Sequence, residues 1–414
     1  MLFYYIYRMR KIYQAYYFAI GLLALVVISS CSSDSDVTPE ANTVLEDYEE
    51  VGSFSGEQLK VIAAFSGFGE YQDIIEYGLT LYKITYNTEF QGQRILASGI
   101  VTVPQGADRF PVLLGAHGTI SSDANAPSNL NFNQNRTSGF ELFAAFGFIS
   151  VIPDYLGFGA SNSIVHPYFD YEASAKSSVD MLKATQEFLE EQEVAFNPDL
   201  FLTGYSQGGY VAVATLKYLE ENTDELLDFE VVATAAGAGG YNIRQGMELI
   251  LNEITYPVPA NLAFLVYAYQ QTNGWDRPLT DFFQEPYASQ IPNLFDGSNS
   301  TGTINSQLPT NLNALFQPNF LAAMRDGTEI EFLTALEQNS IHDWAPQSPL
   351  RLYHDIKDEV VPAQVSERTF QVMRQNGAED VLYFPFDLAP THREAVQPMY
   401  VQTIPWFLTL RSFD

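Results

Sequence analysis

Asp199-Leu200-Phe201-Leu202-Thr203-Gly204-Tyr205-Ser206-Gln207-Gly208-Gly209-Tyr210-Val211-Ala212-Val213-Ala214 is the stretch that decides the fold of this chain. It reads as a short buried strand, a very tight turn, and a helix that opens on small residues. A side chain at 204 or 208 would collide with the neighbouring strand and helix, so both positions need glycine. The turn forces Ser206 towards dihedrals that cost energy, and lifts its hydroxyl clear of the strand end. The backbone N–H of Gln207 opens the helix and points at the space above that hydroxyl. This is the sequence form of a nucleophile elbow.

A serine nucleophile needs a base, and the base needs a group to orient it. The chain has five histidines: His117, His166, His342, His354 and His392. In an elbow-type enzyme the order along the chain is serine, acid, histidine, which leaves the last three as candidate bases. His392 follows the apolar run Val381-Leu382-Tyr383-Phe384 and precedes a helix expected from Ala395 to Leu410, so it sits on a loop at a sheet edge. Pro349 to His354 reads as a strand, followed by Asp355-Ile356-Lys357-Asp358-Glu359-Val360-Val361-Pro362. Asp358 is the expected acid, placed in the loop while Pro362 opens the next helix. Asp355, at the strand end, is its rival. His354 reads as a strand-end residue and His342 as structural. Upstream, Phe110 to Ala116 is an apolar strand ending in His117-Gly118-Thr119. That loop is the expected source of a second oxyanion donor, from the N–H of Gly118 or of Thr119, with His117 bracing it.

With these residues in place the chain resembles the α/β-hydrolase superfamily, and within it the secretory-lipase-like bacterial esterases, from about Gly78 to the end. The likeness is carried by Gly115-Ala116-His117-Gly118-Thr119, Pro153-Asp154-Tyr155-Leu156-Gly157-Phe158-Gly159, His166-Pro167-Tyr168, Gly204 to Gly209 and Lys357 to Pro362. The resemblance implies Ser206 as nucleophile, Asp358 as acid and His392 as base of an ester hydrolase, with Gln207 and Gly118 or Thr119 forming the oxyanion hole. Two rival functions are a serine peptidase of the same fold and a non-catalytic surface binding protein on a hydrolase scaffold.

The rhythm of the chain agrees with such a fold. Tyr82, Ile84 and Tyr86 alternate with polar residues, as do Ile95, Ala97, Gly99, Val101 and Val103, which predicts two antiparallel strands joined near Gln91-Gly92-Gln93. Apolar runs without alternation (Val112–Leu114, Phe148–Ile152, Leu200–Leu202, Val231–Ala235, Leu350–Tyr353, Val381–Phe384) predict buried parallel strands. Helical spacing recurs at Ala175, Val179, Leu182 and Leu189, and at Val211, Thr215, Leu216 and Leu219. The expected architecture is a mostly parallel sheet covered by helices on both faces. Between Tyr241 and Trp344 the strands stop, and aromatic helical pieces surround a Gly/Ser/Asn-rich middle, which predicts a helical cap over the active site. Its aromatics Phe264, Tyr267, Tyr269, Trp275, Phe282, Phe283, Phe295 and Phe316 are expected to offer a surface for apolar acyl or aryl groups.

The chain has 414 residues, 46% of them hydrophobic, enough for one large domain with an insertion. Arg8, Arg10 and Lys11 are the only charges in the first 30 residues, and the remainder carries 17 basic against 50 acidic residues. So acidic a surface disfavours nucleic acid. The basic start, the apolar run Ala19–Ile28 and the small residues Ser29 and Ser30 read as a secretion signal over 1–30. Cys31, the only cysteine, excludes an intrachain disulfide and ends a stretch resembling the bacterial lipobox, in which that cysteine is acylated. A polar, acidic tether is expected over 31–50, followed by hydrolase core over 51–240, cap over 241–345 and core again over 346–414. The expected protein is an exported lipoprotein held at a membrane by its lipid, acting on a small-molecule or lipid ester. No His/Cys/carboxylate cluster has metal-ligand spacing, and no cofactor is expected.

Overall fold

The computed structural model describes residues 43–65, 69–130, 138–225 and 228–413. The expected signal sequence over 1–30, Cys31 and the part of the expected tether up to residue 42 lie outside them.

Alternating side chains give β2 (Leu79–Phe90) and β3 (Gln93–Pro104), paired antiparallel from Phe90↔Gln93 to Leu79↔Pro104. Their two-residue connection holds Gln91 at φ 52° and Gly92 at φ 71°, the left-handed pair that matches the twist of a hairpin. One strand was not expected. β1 (Leu45–Phe54) pairs antiparallel with β2, and its start is fixed where Val44 and Leu45 N–H groups donate to the Glu187 carboxylate. Residues 45–50 are therefore an edge strand and not part of a tether. Their acidic, largely exposed sequence disguised them, because an edge strand has one polar face and one unpaired side.

The other strands are β4 (Phe110–Ala116), β5 (Ile149–Pro153), β6 (Phe196–Tyr205), β7 (Glu230–Gly237), β8 (Leu350–Asp355) and β9 (Val381–Phe386). They complete a nine-stranded sheet in the order β1-β2-β3-β5-β4-β6-β7-β8-β9, parallel from β5 to β9. Successive side chains feed opposite faces: Val112 and Leu114 enter one core with the helices Tyr171–Glu191 and Gln207–Glu221, while Leu113 enters the other with the helix Val396–Leu410. Both faces being covered explains why these strands read as continuous apolar runs. The order reverses at β4, between β5 and β6, and the loops leaving the carboxyl ends there are where such sheets place a site.

Residues 241–345 supply seven α-helices, from Ile243–Leu251 to Ile330–Gln338, and one short 3-10 helix, between β7 and β8. The cap aromatics do something other than expected. Phe282, Phe283 and Phe316 are wholly buried, and Phe283 stacks on Phe316 at 5.2 Å. Phe282 and Phe332 both pack against Phe320, at 5.3 and 5.6 Å. These rings form the cap's own core. They sit among buried aliphatics such as Leu312, Leu315, Leu321 and Leu336, and large rings bury the most area per position.

Candidate active site

Four loops at the carboxyl ends of β4, β6, β8 and β9 bring the expected residues to one edge of the sheet. β6 ends at Tyr205, and Ser206 stands at φ 59°, ψ −123° before the helix Gln207–Glu221 begins. Backbone outside the ordinary regions costs about 1–3 kcal/mol, and the surroundings must hold it. They do so through the Ser206 N–H, which donates to the Gly237 carbonyl at 2.9 Å, and through bare glycines: a methyl group at 204 would strike the Gly208 carbonyl, and one at 208 the Ala116 carbonyl. The first amides of a helix have no acceptor within it, so the N–H of Gln207 is free of intrahelical duty beside Ser206.

The Gln207 side chain is pinned. Its Nε2 lies 2.7 Å from His166 Nε2, and His166 Nδ1 lies 2.6 Å from the Leu156 carbonyl. A carbonyl only accepts, so Nδ1 carries the proton and Nε2 accepts from the glutamine. Burial holds the pKa of His166 down, to about 3, which keeps the ring neutral.

The loop after β4 runs beside the elbow. A Cβ on Gly118 would sit 4.0 Å from Ser206 Cβ, and Thr119 Oγ1 meets the Tyr168 hydroxyl at 2.7 Å. His117 stacks on Tyr155 at 4.0 Å, and the Tyr155 hydroxyl donates to the His117 carbonyl at 2.8 Å. His117 thus holds the loop in shape, and burial lowers its pKa.

Asp358 and His392 are joined: Oδ2 of the acid lies 2.5 Å from Nδ1 of the imidazole. Oδ1 accepts the N–H groups of Val360 and Val361 at 2.8 and 2.9 Å. Burial would raise the Asp358 pKa, but hydrogen bonds from His354 and His392 outweigh it and hold the carboxyl well below the usual range. The Tyr205 ring packs on His392 at 5.0 Å, and the His392 N–H donates to Glu359 at 2.8 Å. Asp355, the rival acid, faces elsewhere. Its Oδ1 accepts the Lys357 N–H, and its Oδ2 accepts the N–H groups of Leu388 and Ala389, all at 2.9 Å. It ties the loop bearing Asp358 to the loop bearing His392.

For three of these residues sequence reasoning missed the role the structure gives them, although Asp355 was named as the rival acid and His354 as a strand-end residue. His354 does end β8, but it also reaches Asp358, four residues on; Glu359 and Asp355 brace the loops of the acid and the histidine. The i, i+4 spacing of His354 and Asp358 was a signal, although nothing in a loop fixes such a pair as neighbours.

A small cavity of about 70 Å³ reaches Ser206. Cap residues Ile243, Met247, Leu262 and Leu265 face Val361 and Tyr168 across it. Among the described residues, none of the eight cap aromatics expected as a binding surface lines it; Phe264 instead stacks behind Tyr168 at 4.9 Å.

The family model for secretory lipases matches residues 140–409, more than half of the chain. The chain belongs to the secretory lipase family. Membership makes it a lipase- and esterase-like hydrolase of the α/β-hydrolase fold. Among solved structures it is similar to a presumptive hydrolase from Legionella pneumophila (28% identity, TM-score 0.81, 89% of this chain and 98% of that one). It shares its fold with the rice cell wall degrading esterase LipA from Xanthomonas oryzae (23%, TM-score 0.77, 89% and 97%) and with Candida antarctica lipase A (15%, TM-score 0.65, 89% and 81%). No curated protein matches it.

Proposed function

We propose that this secretory lipase relative is a serine hydrolase that cleaves carboxylic esters through an acyl-enzyme. The observation that carries the reading is the 2.5 Å contact of His392 Nδ1 with Asp358, at the strand edge where Ser206 occupies its strained turn. With Nδ1 committed to the acid, Nε2 is the nitrogen left to take the Ser206 proton as Oγ attacks the ester carbonyl. Asp358 then stabilises the imidazolium. The N–H of Gln207, with that of Gly118 or Thr119, holds the developing oxyanion, which typically contributes about 3–4 kcal/mol per donor. The proton passes to the alkoxy oxygen as the alcohol leaves, and water repeats the sequence on the acyl-enzyme. The aliphatic wall of the Ser206 cavity supports apolar acyl groups. A fluorophosphonate tests the reading: mass spectrometry should find the adduct on Ser206, and Ser206→Ala should show none. An unlabelled protein would be a binding module, and faster cleavage of aminoacyl anilides than of matched p-nitrophenyl esters would make it a peptidase.

The reading extends to export. Arg8, Arg10 and Lys11, the run Ala19–Ile28 and Cys31 support a processed, lipid-bearing Cys31 that holds the enzyme at a membrane. Detergent partitioning that is lost in Cys31→Ser would support it; an unmodified peptide spanning Ser30 to Ser32 in exported protein would defeat it.

A further inference from the structure

A second and much larger cavity, about 760 Å³, is lined by the chain neighbours of His392 and of Ser206 rather than by Ser206, Asp358 or His392 themselves. Thr391 and Arg393, the neighbours of His392, line it, and so do Gly118 and Tyr205, which flank Ser206. Its inner walls are apolar, formed by Phe140, Phe143, Val396 and Ile404, with Arg393 and Glu394 exposed at its rim. The volume falls within the roughly 300–1,000 Å³ typical of small-molecule sites. By contrast, the cavity under the cap has room for only a few heavy atoms, since one water needs about 10–15 Å³ on such a measure.

We propose that this groove binds the alcohol portion of the ester, so that the enzyme acts on short acyl groups carried by bulky, mostly apolar alcohols. The inference rests on the serine-hydrolase reading and deepens it. In the acylation step the Oγ–C bond of Ser206 forms and the C–O bond to the alcohol breaks. The proton taken by His392 must be handed to the departing alkoxy oxygen. Proton transfer works only within hydrogen-bond reach, so the alcohol has to leave past the imidazole. The large groove runs along the loop that carries that imidazole, through Thr391 and Arg393, whereas the small cavity lies between Ser206 and the cap. The walls suit an alcohol with an aliphatic or aromatic body, and the rim suits polar substituents at its outer end.

Octyl acetate and ethyl octanoate are constitutional isomers with the same apolar content and opposite placement of the long chain, which makes them a direct test. The full-length enzyme should turn over octyl acetate with a kcat/KM higher by roughly tenfold or more, from methylenes buried in the groove. Val396→Trp, which narrows the groove, should reduce that ratio. A measurement without any variant runs alongside: octan-1-ol should inhibit more strongly than octanoate. Equal or reversed preference for the isomers, or stronger inhibition by octanoate, overturns the assignment. Labelling of Ser206 by a small fluorophosphonate separates the two levels. If Ser206 labels while ethyl octanoate is preferred, the groove assignment falls alone; if it does not label, both fall.

Discussion

His354 places Nε2 3.3 Å from Oδ2 of Asp358, the same oxygen that meets His392 Nδ1 at 2.5 Å. The Val361 carbonyl lies 2.9 Å from His354 Nε2 and can only accept, so that nitrogen carries a proton. Ser366 Oγ meets Nδ1 at 2.6 Å, and the ring is wholly buried. One carboxylate oxygen is therefore shared between two imidazoles, with Val360 and Val361 N–H groups saturating the other.

This sharing sets the first prediction. Removing the His354 donor leaves more negative charge on Asp358 to stabilise protonated His392. The acid limb of kcat/KM should move to higher pH in His354→Leu, since a hydrogen bond to a charged group is worth about 1.5–3 kcal/mol. His354→Gln, which can return an N–H to the same place, should bring the limb back. A pH profile unchanged in His354→Leu would mean that His354 only packs.

Asp355 and Asp358 should separate cleanly on mutation. Asp358→Ala leaves His392 without its orienting acid and should cost about 10⁴-fold in kcat, as loss of the triad acid does elsewhere. Asp355→Ala frees the N–H groups of Leu388 and Ala389 and loosens the loop before His392. It should lower stability by about 1–3 kcal/mol and reduce kcat by a smaller factor. Kinetics and denaturant unfolding on both variants check this; a greater loss of activity in Asp355→Ala would make Asp355 the acid.

What was legible in the sequence was local. The elbow announced itself because glycines at 204 and 208, a preceding apolar run and small residues after it are all consequences of one tight turn. The parallel strands were legible because burial on both faces removes the alternation. β1 was not, since its partner β2 lies some thirty residues away and its own exposed, acidic residues resemble a linker. The cap's aromatics were counted correctly but assigned to the wrong surface: composition shows that rings are present, and only the packing of the cap helices decides that Phe283 faces Phe316 and Phe282 faces Phe320. The contacts of His354 and Asp355 escaped for a related reason, because their partners are set by how the β8 and β9 loops meet.

Stability should carry the mark of His166. Its folded pKa, about 3, lies below the ordinary value near 6.5, so below that value the unfolded chain binds a proton that the native ring refuses. Stability is then unaffected above about pH 6.5 and falls by about 1.4 kcal/mol per pH unit as pH drops from there towards 3. His117, whose pKa burial also lowers, adds to the fall in the same direction. Denaturant unfolding between pH 7 and 4 should give a shallower slope for His166→Gln than for the unmutated protein. An equal slope in the two proteins would show that His166 is protonated in the native state.

The last prediction concerns the cap. Phe282 and Phe283 are wholly buried among Phe316, Phe320 and Phe332 and line neither cavity. Phe282→Ala should therefore cost about 3–5 kcal/mol of stability, as large core truncations do, and leave the acyl-chain profile of the surviving enzyme unaltered. Leu265 is the contrasting position, because its side chain forms part of the cavity at Ser206. Leu265→Ala enlarges that cavity by about three methylene-sized groups, each worth about 0.8 kcal/mol when buried. It should shift the preferred p-nitrophenyl ester from short acyl chains towards longer ones. Measuring thermal midpoint and chain-length profile on the same two variants separates the effects. A shifted profile in Phe282→Ala would return the aromatics to the binding surface, and an unmoved one in Leu265→Ala would mean that the acyl group lies elsewhere.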